Sequence, residues 1–266
     1  MRLFSQKPSL VINRDQVVTI IGLVIIVALG WAYMIHIARA MDDNMSMAMP
    51  QMMAWSWLDW WSMFLMWTVM MIAMMVPSAT PTILIYAKVN HNRRQNSLNY
   101  VSTSVFLFGY LLAWTAFSMV ATTGNWLIHT QGLLTGMMGS STSNILGAAL
   151  LIAAGIYQWT PFKYACLNHC RTPLGFIMTE WKEGKLGAIT MGVKHGFYCV
   201  ACCWLLMGLL FVLGVMNLFW IGLLAGFVLL EKLLPQGIWV SRISGLGFLA
   251  WGVICLLYTS PSPRDS

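Results

Sequence analysis

Charge is the scarcest property of this 266-residue chain: only 9% of its residues are Asp, Glu, Lys or Arg. A soluble domain carries roughly 25%. Acids are scarcer than bases, 8 against 15. This deficit excludes an ordinary water-soluble domain. The net charge of +7 then bears on membrane orientation and not on nucleic acid, which is not expected as a partner. Also missing are a nucleotide-binding loop, a Ser-His-Asp arrangement and an open three-ligand zinc motif. Enzyme activity therefore has one positive signal, a C-x-x-C pair discussed below. No internal repeat of the kind that marks many transporters is visible. The first apolar run is of span length and has no cleavage-site pattern, so no cleavable signal peptide is expected.

What the chain has in abundance is apolar sequence, 59% of the total, in runs long enough to cross a bilayer. Seven spans can be drawn, near Val17 to Ala38, Trp57 to Tyr86, Tyr100 to Thr123, Asn144 to Thr160, Gly196 to Val215, Leu218 to Leu230 and Val240 to Tyr258. The expected fold is an all-α polytopic helix bundle with a lipid bilayer as its surroundings. Pro77 and Pro81 are expected to kink the second span or end it early. Gly222-x-x-x-Gly226 and the small residues of the fourth span permit close helix approach.

Basic residues are distributed unevenly. With the N-terminus inside, the inner segments hold Arg2, Lys7, Arg14, Lys88, Arg93, Arg94, Lys163, Arg171, Lys182, Lys185, Lys194, Lys232 and Arg242. The outer segments hold Arg39 and Arg264 alone. This positive-inside bias predicts a cytoplasmic N-terminus in a bacterial inner membrane. The tail from Cys255 to Asp265 resembles the translation of a transposon-based sequencing adapter. A single membrane domain is therefore expected over residues 1–254, with 255–266 an artefact in place of the true C-terminus.

Leaving Cys255 aside, every cysteine falls in one of two clusters. Cys166-Leu-Asn-His-Cys170 has i, i+4 spacing. His195, Cys199, Cys202 and Cys203 stand at i, i+4, i+7 and i+8, which puts all four on one helix face. Thiols and an imidazole stacked this way are soft-metal ligands or a redox site. Pro161 and Pro173 bracket a short helical segment bearing Cys166, His169 and Cys170, which could fold back on the second cluster. Both clusters flank one cytoplasmic connection. Four ligands would complete a Zn(II) site, and two or three thiolates would satisfy Cu(I).

Cys166, Cys170, Cys199 and Cys202 are the first choice of ligands, with Cys203 and His195 as alternates. Lys163, Arg171 and Lys194 are expected to favour thiolate. Glu231 is expected either to orient a ligand or simply to end its helix at the interface beside Lys232. The competing reading is a membrane thiol-disulfide oxidoreductase built on Cys199-Val-Ala-Cys202, which the reducing cytoplasm disfavours.

The first outer loop carries Met45, Met47 and Met49, a Met-x-Met-x-Met run suited to Cu(I). Met63, Met66, Met70, Met71, Met74 and Met75 follow in the second span, where methionine also serves as flexible packing. Asp59 sits among Trp57, Trp60 and Trp61, an interfacial belt, and is expected to reach water. His36, His91 and His129 are read as lacking partners or solvated.

Three motifs carry a family resemblance. They are Met70-Met-Ile-Ala-Met-Met-Val-Pro77, Tyr157-Gln-Trp-Thr-Pro-Phe-Lys163 leading into Cys166-Leu-x-x-Cys170-Arg171-x-Pro173, and the stretch ending in Cys202-Cys-Trp-x-Leu-Met207. In these the chain resembles a bacterial family of integral membrane proteins described as predicted metal binders. The resemblance implies metal binding, with Cys166, Cys170, Cys202 and Cys203 as ligands. Cys199 and His195 rest on helix geometry alone. The expected function is handling of Cu(I) or Zn(II), with a metal donor or acceptor protein as partner.

Overall fold

A computed structural model describes residues 14–45, 56–130, 134–135, 140–141, 144–215, 217–234 and 236–259. It is helical almost throughout. The helices are α1 (Arg14–Met45), α2 (Trp57–Gln95), α3 (Thr103–Thr130), α4 (Asn144–Tyr157), α5 (Pro161–Arg171), α6 (Pro173–Glu180), α7 (Gly184–Gly208), α8 (Leu210–Leu213), α9 (Leu218–Leu233) and α10 (Gly237–Thr259). A two-residue antiparallel ribbon, β1 (Leu134–Thr135) with β2 (Ser140–Ser141), lies between α3 and α4.

Among the described residues, five helical segments are long and apolar enough to cross a membrane, or six if α4 and α5 form one bent span. Seven were expected from the sequence. Each expected span has a helix, but α4 has 14 residues and α9 has 16, less than the ~20 that a straight crossing takes.

Helix α2 does not end early at its prolines. It continues through Pro77 and Pro81 for 39 residues, roughly 58 Å along the chain at 1.5 Å per residue. Hydroxyls around Pro77 bond back to the chain, Ser78 to the Met75 carbonyl at 2.9 Å and Thr80 to that of Val76 at 3.1 Å. At the start of α2, Ser56 and Asp59 cap each other reciprocally: Asp59 Oδ2 accepts from the Ser56 N–H at 2.8 Å. Asp59 is thus a solvent-side capping residue.

The core is a methionine-rich seam. Met70, Met71, Met74 and Met75 of α2 are all at most 1% exposed, with Trp67 and Ile83 beside them. They fill space between helices, as flexible thioethers do. The outward faces of α1 and α10 are apolar, with Val18, Leu29, Ile243 and Leu257 more than 60% exposed.

Helices α3 and α7 pack along each other, as do α4 and α10, while α1 lies on α2. The α3–α7 seam is close enough that glycine is required. A Cβ on Gly192 would strike the Phe106 carbonyl oxygen, and one on Gly196 would lie 2.6 Å from Ala113 Cβ. Gly155 of α4 similarly abuts Gly245 and Leu249 of α10. The Gly222-x-x-x-Gly226 motif makes no comparable approach: Gly226 faces open space.

The turn between α4 and α5 positions the site. The two axes differ by 66°. Pro161 begins α5, and the Thr160 hydroxyl accepts from the Lys163 N–H at 3.3 Å, which stops α4 and restarts the helix in a new direction. This bend lays α5 against α7.

Candidate metal centre

The α5–α7 contact brings the two cysteine clusters together. Cys170 of α5 is buried in one core with Cys199 and Cys202 of α7. Cys203, one turn along α7 from Cys199, belongs to the same core. All four thiols are buried, and all are free. Cys202 and Cys203 both donate to the Cys199 carbonyl, at 3.1 and 2.9 Å. Cys166 is also buried in this core. Among the described residues, no three His, Cys, Asp or Glu side chains converge as a ready-made coordination set. The thiols are neighbours held by the protein's own hydrogen bonds.

A buried cation completes the centre. Lys232 Nζ donates to Cys199 Sγ at 2.8 Å and to Ser78 Oγ at 3.1 Å. Tyr110 joins from α3: its hydroxyl lies 3.2 Å from Cys199 Sγ and 3.1 Å from the Met75 carbonyl oxygen. Cys199 thus stands at the meeting of α2, α3, α7 and α9. A lysine this deep needs compensating charge or good acceptors.

Next to it lies a second buried charged group. Lys163 Nζ sits 2.6 Å from Glu231 Oε1, with the two side chains 2% and 0% exposed. Ser241 donates to the same oxygen. The pair ties α5 to α9, and Ser241 adds α10. Arg171 reinforces that junction by donating to the Leu234 carbonyl at 2.6 Å.

These contacts reassign several side chains. Glu231 does not end its helix at an interface. It is fully buried as the partner of Lys163. The three cations expected to favour thiolate are engaged with other groups: Lys163 with Glu231, Arg171 with Leu234, and Lys194 with Glu180 at 2.6 Å near the surface. The cation in contact with a thiol is Lys232, which the sequence reading had placed at the membrane interface. The signal was in the helical phase. Ile221, Leu224 and Val228 form the buried stripe of α9, and residues 231 and 232 continue it at i+3 and i+4. Tyr110 and Ser78 were also missed. Isolated hydroxyls in apolar runs give no comparable signal.

The histidines divide. His195 is 2% exposed, and its ring lies 5.2 Å from that of Phe176 and 5.8 Å from that of Tyr110. Among the described residues its Nδ1 has no hydrogen-bond partner. His169 lies on the exposed side of α5, stacked on Tyr198 at 4.4 Å and bonded to the Ala165 carbonyl. It is turned away from the thiols. His91 is not simply solvated: it pairs with Asp15 at 2.8 Å and meets Gln95 at 3.0 Å. His36 is exposed. Met47 and Met49 lie outside the described residues, as do the side chains of Met45 and His129.

Buried thiols beside a buried ammonium suit a soft, low-charge metal ion. Comparison with known families points the same way. Residues 64–255 match the family model described as PpoB2, copper chaperone. That stretch contains both cysteine clusters and all of α3 to α9. No curated protein and no solved structure matches the chain. The match supports copper and gives none to zinc or to thiol-disulfide exchange. By this match over most of its length, the chain belongs to the PpoB2 family of copper chaperones.

Proposed function

We propose that the protein is an integral membrane copper-handling protein of the bacterial inner membrane, with its N-terminus in the cytoplasm. It binds Cu(I) at the α5–α7 junction. The thiolates are drawn from Cys170, Cys199 and Cys202, with Cys166, Cys203 and His195 within the surrounding shell. The observation that carries this reading is the packing of α5 on α7, which buries Cys166 and Cys170 in one core with Cys199 and Cys202 about thirty residues later in sequence. Thiolates are soft ligands and suit Cu(I). The apolar outer faces of α1 and α10 fit a lipid setting. Exchange with a metal donor or acceptor protein follows from the chaperone role. The Met45, Met47 and Met49 segment would collect the ion on the opposite side.

The test is metal content. Protein purified in detergent under reducing conditions and loaded anaerobically with Cu(I) is desalted and analysed for copper, beside a Cys166→Ser/Cys170→Ser variant. The wild type should retain copper at about one ion per chain. The variant should retain a small fraction of that. Equal copper in both would remove α5 from the site.

A further inference from the structure

The charge balance around the thiols points to a role for Lys232. Two ammonium groups are buried here, at Lys163 and Lys232. The first is neutralised by Glu231 at 2.6 Å. Among the described residues, Lys232 forms no ion pair with a carboxylate. Its bonded partners are a sulfur, Cys199 Sγ, and a hydroxyl, Ser78 Oγ. A buried ammonium without an anion is costly. The groups able to supply negative charge within its reach are thiols.

We infer that Lys232 is the fixed counter-ion of an anionic copper–dithiolate complex and that it holds Cu(I) at two thiolates. The inference rests on the copper reading above. On binding, two thiols release their protons and Cu(I) takes their place between the sulfurs, with no electron transferred. Two thiolates and one Cu(I) sum to −1, and the Lys232 ammonium brings the buried site to zero. A third thiolate would leave a net −1 in a region with no second free cation among the described residues. Lys163 cannot serve, because Glu231 already takes its charge. The absence of any three-ligand convergence among the described His, Cys, Asp and Glu residues agrees with a two-sulfur complex. Lys232 is not a ligand in this scheme. It fixes coordination number, and through it affinity, by charge.

The experiment uses the full chain in detergent, loaded anaerobically with Cu(I). X-ray absorption at the copper edge should count two sulfur neighbours. In Lys232→Met, Cu(I) affinity measured by competition with a chromogenic Cu(I) chelator should fall at least ~10-fold, because the complex keeps its −1 charge without compensation. Three or four sulfurs around copper in the wild type would overturn the inference while leaving copper binding intact. So would an unchanged affinity in Lys232→Met. If that variant fails to fold, the wild-type sulfur count still decides. A wild type that takes up no Cu(I) would overturn both this inference and the reading beneath it.

Discussion

Replacing Cys199 by Ala should abolish tight Cu(I) binding and weaken the fold in the same step. Its sulfur bonds to groups on two other helices, Lys232 from α9 and Tyr110 from α3. Taking away one of two or three soft ligands should cost Cu(I) affinity by more than ~100-fold, beyond what loss of a supporting residue costs. The stability loss has a separate cause. Without Sγ, the Lys232 ammonium keeps, among the described residues, the Ser78 hydroxyl as its bonded partner. Breaking one side of a buried charged contact typically costs about 3–5 kcal/mol. Cys203→Ala should behave differently. Its thiol donates to a backbone carbonyl, so its loss removes one neutral hydrogen bond, a matter of about 1 kcal/mol. Chelator competition and thermal unfolding in detergent check both halves. Parity between the two variants would show that Cys199 has no special place in the cluster.

Glu231→Ala should be the most damaging change outside the thiols. It strands Lys163, whose side chain is 2% exposed, and removes the acceptor of Ser241. The expected loss is again about 3–5 kcal/mol, seen as lower yield and earlier thermal unfolding. The diagnostic is the double variant Lys163→Met/Glu231→Leu. Removing both charges together should recover most of the lost stability, since a well-packed apolar pair can equal a buried ion pair. A double variant as unstable as Glu231→Ala would mean that the pair's geometry, and not the stranded charge, matters. Because the pair anchors α5 to α9 and α10, Glu231→Ala should also loosen the position of Cys170 and lower copper retention.

Much of this arrangement was legible in the sequence, and the parts that were not have physical reasons. Long apolar runs announced the helices, and the i, i+4, i+7, i+8 spacing from His195 put the thiols on one face of α7. The prolines at 161 and 173 marked α5 as a separate piece, and the Thr160 cap then turned it back. What could not be read was the partner of each charge. Lys232 and Glu231 are adjacent in sequence at the end of an apolar run, which is where interfacial charges also sit. Only packing reveals that one reaches a thiol and the other a lysine on α5. Pro77 and Pro81 do not end α2, because a helix packed among its neighbours tolerates proline where the chain alone suggests a stop. His169 shared the spacing of its cluster but lies on the outer side of a short helix, so sequence proximity to Cys170 did not become spatial proximity to the thiols.

The central claim is that α5 and α7 share one copper site, and disulfide trapping tests it most directly. The reduced, metal-free protein is treated in detergent with a small membrane-permeant oxidant and mapped by mass spectrometry. The same treatment follows loading with one equivalent of Ag(I), a redox-inert ion of the same charge and softness as Cu(I). The account predicts a linked peptide joining Cys170 to Cys199 or Cys202 without metal, and loss of that link when Ag(I) is bound. The same link forming at the same yield with Ag(I) bound would contradict it.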